Sequence, residues 1–172
     1  MKIAIISDIH DQAENLKWAI AKMRSLKVDQ VFALGDYSSP YIVERLGRVG
    51  VPVIAVWGNN DGDQVAMFKA VLDDENNQIY FKKGNFAEVE YAEGKYFLTH
   101  YPLLAENAAM SGKYDAVFHG HTHRQRSEII NNTPIVNPGK LAVYPDDKIS
   151  FAVYDTENKK VKFFEKQKNI GL

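Results

Sequence analysis

Short apolar runs alternate with helical repeats in the first half of the chain. Strands are predicted at residues 2–7, 30–34 and 52–57, where the runs are nearly uninterrupted, as in a parallel sheet covered on both faces. A helix is predicted over residues 12–26, from apolar side chains at helical spacing, and a second over residues 41–49. After Asp61, the positions Val65, Phe68 and Leu72 predict a third helix with these side chains on its buried face.

The pattern changes from about residue 79 to shorter strands with nearly alternating polarity. Strands are predicted at residues 86–91, 96–100, 116–120, 126–130 and 134–136, followed by a hairpin over residues 151–164. We expect these strands to form a second, mostly antiparallel or mixed sheet. The predicted fold class is α/β, with two mixed β-sheets packed face to face and helices on the outer faces. One domain is expected over residues 1–166, with a flexible tail at 167–172.

Composition narrows the possible partners. With 21 basic and 22 acidic residues, the chain has no bulk charge to attract a nucleic-acid backbone or an anionic membrane, so any phosphate binding must be local. The absence of cysteine excludes a disulfide framework and a thiolate zinc site. The first apolar run is too short for a signal peptide, and none approaches the roughly 20 residues of a membrane-spanning helix. The expected location is the cytoplasm.

All the histidines stand where a predicted strand ends. They are His10, His100, His119, His121 and His123. Asp8, Asp36 and Asn59 also follow strands, and the carboxyl ends of parallel strands meet at one edge of a sheet. Imidazole and carboxylate together suit Mn, Fe, Zn, Ni or Co better than Ca or Mg. The sequence therefore predicts a transition-metal site at this edge.

The motifs around these residues resemble those of the calcineurin-like metallophosphoesterases, especially their small bacterial and archaeal phosphodiesterase branch. The matching segments are DIH at 8–10, GD at 35–36, GNND at 58–61, TH at 99–100, GHTH at 120–123 and NPG at 137–139. Each motif alone is weakly specific, but their order and separations are specific. The resemblance implies a metal-dependent phosphoesterase that acts on small phosphodiesters.

The resemblance also implies two metal ions per chain, with Mn preferred and Ni, Fe, Zn or Co as alternatives. The roles of the family, carried over position by position, assign Asp8, His10 and His123 to one ion and Asn59, His100 and His121 to the other, with Asp36 as the bridge. Two divalent ions about 3.5–4 Å apart can hold a bridging hydroxide as nucleophile and grip the phosphoryl oxygens.

Four further residues stand beside these ligands. Many relatives have histidine at the position of Asn60, where it is thought to protonate the leaving group, which an asparagine cannot do. Asp61 is expected either to orient a ligand or to cap the following helix. His119 is expected to be buried and hydrogen-bonded rather than a ligand. Tyr101, where many relatives have glycine, is expected to reshape the mouth of the pocket.

Two other functions are kept as alternatives. The fold also resembles a retromer subunit, so a non-catalytic, metal-binding interaction scaffold is one of them. A nuclease acting on polymers is the other, although no basic run with aromatic residues is present in the sequence. A homo-oligomer is compatible with the sequence, and no membrane partner is expected.

Overall fold

A computed structural model of the protein describes residues 1–72, 74–75, 77–144 and 148–167. The strands are β1 (Lys2–Ile6), β2 (Gln30–Ala33), β3 (Val53–Ala55), β4 (Ile79–Phe81), β5 (Phe86–Tyr91), β6 (Gly94–Thr99), β7 (Ala116–Phe118), β8 (Gln125–Ile130), β9 (Thr133–Pro138), β10 (Lys148–Asp155) and β11 (Lys160–Gln167). The helices are α1 (Ala13–Leu26), α2 (Pro40–Gly47), α3 (Gln64–Leu72) and α4 (Pro102–Met110). The expected tail begins at Gln167, the last residue of β11, and its residues 168–172 lie outside the described residues.

The first sheet has the strand order β11-β10-β1-β2-β3-β4. Strands β1 to β4 run parallel, while β10 pairs antiparallel with β1. The assignment of the final hairpin, β10 and β11, to the second sheet is therefore wrong. The reason is visible in β10, which is buried on both faces: Phe151 and Val153 pack on the helix side, whereas Ala152 and Tyr154 face the other sheet. Such a strand needs a sheet that is covered on both sides.

The second sheet has the order β5-β6-β7-β9-β8 and packs face to face on the first. The shared core between the sheets includes Ile5 and Phe32 from the first sheet and Leu98 and Phe118 from the second. Helices α1, α2 and α3 cover the outer face of the first sheet, and α4 covers the second sheet through small residues such as Ala105. The predicted two-sheet α/β class with outer helices is confirmed.

Two features of the helices differ from the sequence prediction. Helix α4 was not predicted, although Pro102 at its first turn is a typical start signal. In α3 the expected buried face is wrong: Val65, Phe68 and Leu72 are exposed, while Met67 and Val71 are buried. The helix is apolar on nearly every side, so its spacing does not indicate which face is buried, and packing against α2 decides it.

The loops that follow five strands meet at one edge of the two sheets. Because β1, β2 and β3 are parallel, their carboxyl ends open to the same side. Strands β6 and β7, also parallel, bring the loops after Thr99 and Phe118 to the same place. Among the described residues, no helix is long and apolar enough to span a bilayer.

Candidate metal centre

The loops at this edge carry unusual backbone conformations. The non-glycine residues with positive φ include five candidate ligands, namely Asp8 (55°), His10 (45°), Asp36 (58°), His121 (72°) and His123 (59°). Aspartate and histidine tolerate the left-handed region better than most residues, but it still costs free energy. Such conformations cluster at functional sites, because they direct side chains to positions that extended backbone could not reach.

The first group of candidate ligands combines two imidazoles with one buried carboxylate. The Nε2 atoms of His10 and His123 lie 3.2 Å apart. Oδ1 of Asp8 lies 3.2 Å from Nε2 of His123 and 3.8 Å from Nε2 of His10. These three side chains can therefore offer one donor atom each to a single cation.

The second group lies beside the first and contains two imidazoles and an amide. Nε2 of His100 lies 3.0 Å from Oδ1 of Asn59 and 3.2 Å from Nδ1 of His121. Nδ1 of His121 is 2.9 Å from the same Asn59 oxygen. Three atoms that can each offer a lone pair converge here. A cation can bind all three lone pairs at once, whereas one shared hydrogen atom cannot.

Asp36 stands between the two groups. Its Oδ2 atom lies 3.4 Å from Nε2 of His10, in the first group, and 3.4 Å from Nε2 of His100, in the second. The side chain is almost fully buried. One carboxylate oxygen is thus equally close to one imidazole of each group, as a ligand shared by two ions would be.

Backbone carbonyls fix the orientation of two of the imidazoles. Nδ1 of His100 lies 2.8 Å from the carbonyl oxygen of Leu34, and Nδ1 of His123 lies 3.1 Å from that of Tyr144. In the neutral ring, each Nδ1–H donates to its carbonyl, and Nε2 keeps a lone pair directed at the centre. Because main-chain atoms do this, the side chains of Leu34 and Tyr144 gave no signal in the sequence.

The surroundings of the Asp8 carboxylate are the most direct indication that the first group binds a cation. Its Oδ2 accepts a hydrogen bond from the backbone N–H of His121 at 3.0 Å, but Oδ1 is buried with no hydrogen-bond partner among the described residues. Burial by itself raises the pKa of this carboxyl, but the imidazoles of His10 and His123 outweigh it, so the pKa lies below its usual range. In turn, the contact with Asp8 raises the pKa of His123. An ionised, buried oxygen whose nearest polar neighbours are two imidazole nitrogens fits a metal ligand.

Asp61 holds two of the site loops together. Its carboxylate accepts hydrogen bonds from the backbone N–H groups of Asp36, Tyr37, Ser38 and Gly58, at 2.7 to 3.1 Å. The other role considered for it, capping the following helix, falls to a different residue, because Asp63 Oδ1 accepts from the N–H of Ala66 in α3. Asp61 therefore orients the backbone that carries Asp36.

Asn60 also turns towards Asp36. Its backbone N–H donates to Oδ1 of Asp36 at 2.8 Å, and its side-chain Nδ2 donates to Oδ2 at 2.9 Å. Tyr101 lies beside the second group, with its ring centroid 5.3 Å from that of His100, edge-on, and 5.9 Å from that of His121. It borders the second group at the mouth of the site.

His119 lies outside both groups. It is buried, and its Nδ1 lies 3.0 Å from the carbonyl oxygen of Gly120, which also accepts a hydrogen bond from Asn137 at 2.8 Å. Burial lowers the pKa of His119 to about 4, so the ring is neutral near pH 7. This is the buried, hydrogen-bonded histidine that the sequence predicted.

Two glycines of the motifs are required by close approach. A Cβ atom at Gly58 would lie 2.5 Å from the backbone nitrogen of Asp36 and would also overlap its side chain. At Gly120 a Cβ atom would collide with the side chain of Ser7 and lie 2.8 Å from Oδ2 of Asp8. The glycines of GNND and GHTH therefore leave space for the two carboxylates.

Sequence comparison finds phosphodiesterases similar to this chain over most of its length. A phosphodiesterase of Methanocaldococcus jannaschii is 34% identical over 161 residues, which cover 92% of this chain and 95% of the relative. The phosphodiesterase YfcE of Escherichia coli is 26% identical over 162 residues, which cover 83% of this chain and 80% of the relative.

Solved structures share the fold over nearly the whole chain. The structure of an archaeal phosphodiesterase superposes with a TM-score of 0.87 at 30% identity, covering 96% of this chain and all of that one. Vacuolar protein sorting 29 from Cryptosporidium parvum, at 22% identity and a TM-score of 0.61, covers 97% of this chain and 98% of its own and shows the shared fold alone. A family model of the calcineurin-like phosphoesterase superfamily domain matches residues 1–159. The chain therefore belongs to the calcineurin-like phosphoesterase superfamily.

Proposed function

We propose that the protein is a metal-dependent phosphodiesterase with two divalent transition-metal ions per chain, Mn being the first candidate. The observation that carries this proposal is the position of Asp36, whose Oδ2 is 3.4 Å from an imidazole nitrogen of each group. One ion would be held by Asp8, His10, His123 and Asp36, and the other by Asp36, Asn59, His100 and His121. Bound there, the ions would supply a strong nucleophile at neutral pH and stabilise charge on the phosphoryl oxygens.

The charges of the ligands favour an anionic substrate. Among the seven proposed ligands only Asp8 and Asp36 are carboxylates, and they would cancel two of the four positive charges of two divalent ions. The centre would remain cationic and would attract a phosphate group, although the chain as a whole carries a formal charge of −1. The positive charge of the metal centre alone could thus attract a phosphate group, without a positive net charge on the chain.

The preference for diesters rests on the relatives, because two of the similar proteins are named phosphodiesterases. The chain itself limits the proton chemistry, because the amide of Asn60 is too weak an acid to protonate a leaving group and is hydrogen-bonded to Asp36. A diester whose leaving group departs as a stable anion needs no such proton. We therefore expect esters with good leaving groups to be the better substrates.

The scaffold alternative is less favoured. The side chains of all seven proposed ligands lie close together. The nitrogen or oxygen atom of each is 2.9 to 3.8 Å from a nitrogen or oxygen atom of another proposed ligand. Because a metal-binding scaffold would also need these donors, the preference for an enzyme rests on the relatives that are named phosphodiesterases. The expected cytoplasmic location and the oligomeric state stay predictions.

A direct assay separates these functions. The metal-free protein is assayed with bis(p-nitrophenyl) phosphate before and after addition of Mn²⁺, beside the His123→Ala variant and the matched control Asn158→Ala, which changes a turn between β10 and β11. We expect Mn²⁺-dependent hydrolysis by wild type and the control and a large loss in His123→Ala. Equal rates with and without metal would argue against the metal-dependent enzyme. A strong preference for oligonucleotides over the small diester would favour the nuclease.

A further inference from the structure

Asn60 contacts both oxygens of one carboxylate. Its backbone N–H donates to Oδ1 of Asp36 at 2.8 Å, and its side-chain amide donates to Oδ2 at 2.9 Å. The same Oδ2 atom lies 3.4 Å from the imidazoles of His10 and His100. Asp36 is almost fully buried, whereas Asn60 is exposed. The exposed amide therefore lies between the buried carboxylate and the solvent.

Two successive residues fix this carboxylate by different means. Asp61 holds the backbone of Asp36 by accepting its N–H at 2.9 Å, while Asn60 holds the side chain. With both oxygens bonded to Asn60, rotation of the carboxylate about its last bond would break at least one hydrogen bond. An amide is suited to this role, because its N–H₂ group donates at every pH and carries no charge that would compete with a cation.

We infer that Asn60 is a positioning residue that holds Asp36 in the orientation serving both metal ions. The inference rests on the proposed two-metal function. It gives the amide a role different from that of the histidine that many relatives carry at this position: Asn60 acts on the metal centre through Asp36 and does not donate a proton to the leaving group. Because Asp36 faces both groups, loss of the Asn60 side chain weakens the binding of both ions, whereas loss of the His123 side chain weakens the binding of one.

The test is a Mn²⁺ titration of the metal-free protein by calorimetry or equilibrium dialysis, which needs no turnover. The variants are Asn60→Ala, which removes the amide, Asn60→Leu, which keeps its approximate shape, and Asn60→Gln, which keeps a donor on a longer side chain. His123→Ala serves as the single-site reference. Asn158→Ala is the matched control, because exposed Asn158 donates a similar 3.0 Å hydrogen bond to Asp155 away from the centre.

We expect Asn60→Ala and Asn60→Leu to weaken both binding steps by about 10-fold to 100-fold, the range found for residues that orient metal ligands. Asn60→Gln should recover part of the loss, and Asn158→Ala should bind like wild type. The unfolding temperature of the metal-free Asn60 variants should change by less than about 4 °C, because the side chain is exposed.

Two results would overturn the inference, and they differ from failure of the proposed function. If wild type binds two ions but the Asn60 variants bind them with unchanged affinity, or lose affinity at one step only, the side-chain amide of Asn60 does not position a shared ligand. If Asn60→Gln falls as far as Asn60→Leu and the metal-free variants are strongly destabilised, the role is structural. If wild type itself binds fewer than two ions, the two-metal function is wrong and the inference falls with it.

Discussion

The Asp61→Asn substitution tests whether one carboxylate holds the site loops together. Oδ1 of Asp61 accepts from Tyr37 and Ser38 at 2.7 and 3.1 Å, and Oδ2 accepts from Asp36 and Gly58 at 2.9 and 2.7 Å. Asparagine has the same shape but only one accepting oxygen. Its amide nitrogen would face two backbone N–H donors, whichever way it is turned.

The expected cost follows from these two lost bonds. Hydrogen bonds to a charged acceptor contribute about 1.5–3 kcal/mol each, and a buried donor without a partner carries a penalty of similar size. Some relaxation and entry of water will reduce the sum, so we expect Asp61→Asn to lower the free energy of unfolding by about 3–4 kcal/mol. This is a large fraction of the roughly 5–15 kcal/mol that stabilises a typical domain.

The assay is urea unfolding of the metal-free protein followed by circular dichroism. With a slope of about 2 kcal/mol per molar urea, the midpoint should fall by roughly 1.5–2 M. Asp63→Asn is the matched control from the same loop, because exposed Asp63 accepts one N–H, from Ala66, and asparagine caps helices equally well. A midpoint for Asp61→Asn within about 0.5 M of wild type would refute the assignment of the four hydrogen bonds to this carboxylate.

Three further predictions concern acid, packing and leaving groups. The raised pKa of His123 means that the stabilising Asp8–His123 contact is fully present below about pH 6.5 and is lost as pH rises through that raised value. The metal-free protein should therefore become less stable as the pH rises from 6 to 9, whereas its apparent affinity for Mn²⁺ should increase over the same range. Activity should decrease when the pH is lowered below about 6. An affinity that does not depend on pH would argue against histidine ligands. Gly120→Ala should lower kcat/KM about 100-fold by displacing Ser7 and the adjacent Asp8, and Gly62→Ala, where a Cβ meets nothing within 4 Å, should not; equal activities would contradict the close packing. Wild type should hydrolyse aryl diesters far faster than alkyl diesters, because alkyl leaving groups miss the roughly 10²–10⁴-fold contribution of a positioned acid, and a flat leaving-group series would reveal a proton donor elsewhere in the site.

The sequence could predict the fold where polarity has a clear period. The parallel strands of the first half are continuous apolar runs, and the lengths of β1, β2 and β3 differ from the prediction only at their ends. Helix α3 lacks a polar face, so its spacing could not indicate that Met67 rather than Phe68 is buried. The final hairpin was placed in the wrong sheet because β10 pairs with β1 from the far end of the sequence, and its continuous buried run does not indicate which strand it pairs with.

The candidate site could be predicted from the sequence only in part. Side chains that act through their own donor atoms, such as His10 and Asp36, stand in recognisable motifs and lie together in the structure. The carbonyl of Tyr144 and the backbone N–H groups around Asp61 act through main-chain atoms that every residue carries. The role of Asn60 depends on the direction of its amide, which only the folded loop defines.

The central claim is a two-metal centre that shares Asp36, and counting bound metal tests it most directly. Wild type and Asp36→Asn are loaded with Mn²⁺, freed of excess metal by gel filtration and analysed by elemental mass spectrometry beside a protein assay. We predict about two ions per chain for wild type and fewer than one for Asp36→Asn, because one residue faces both groups. A wild type that is fully active with one ion, or an Asp36→Asn variant that still holds two, would contradict the account.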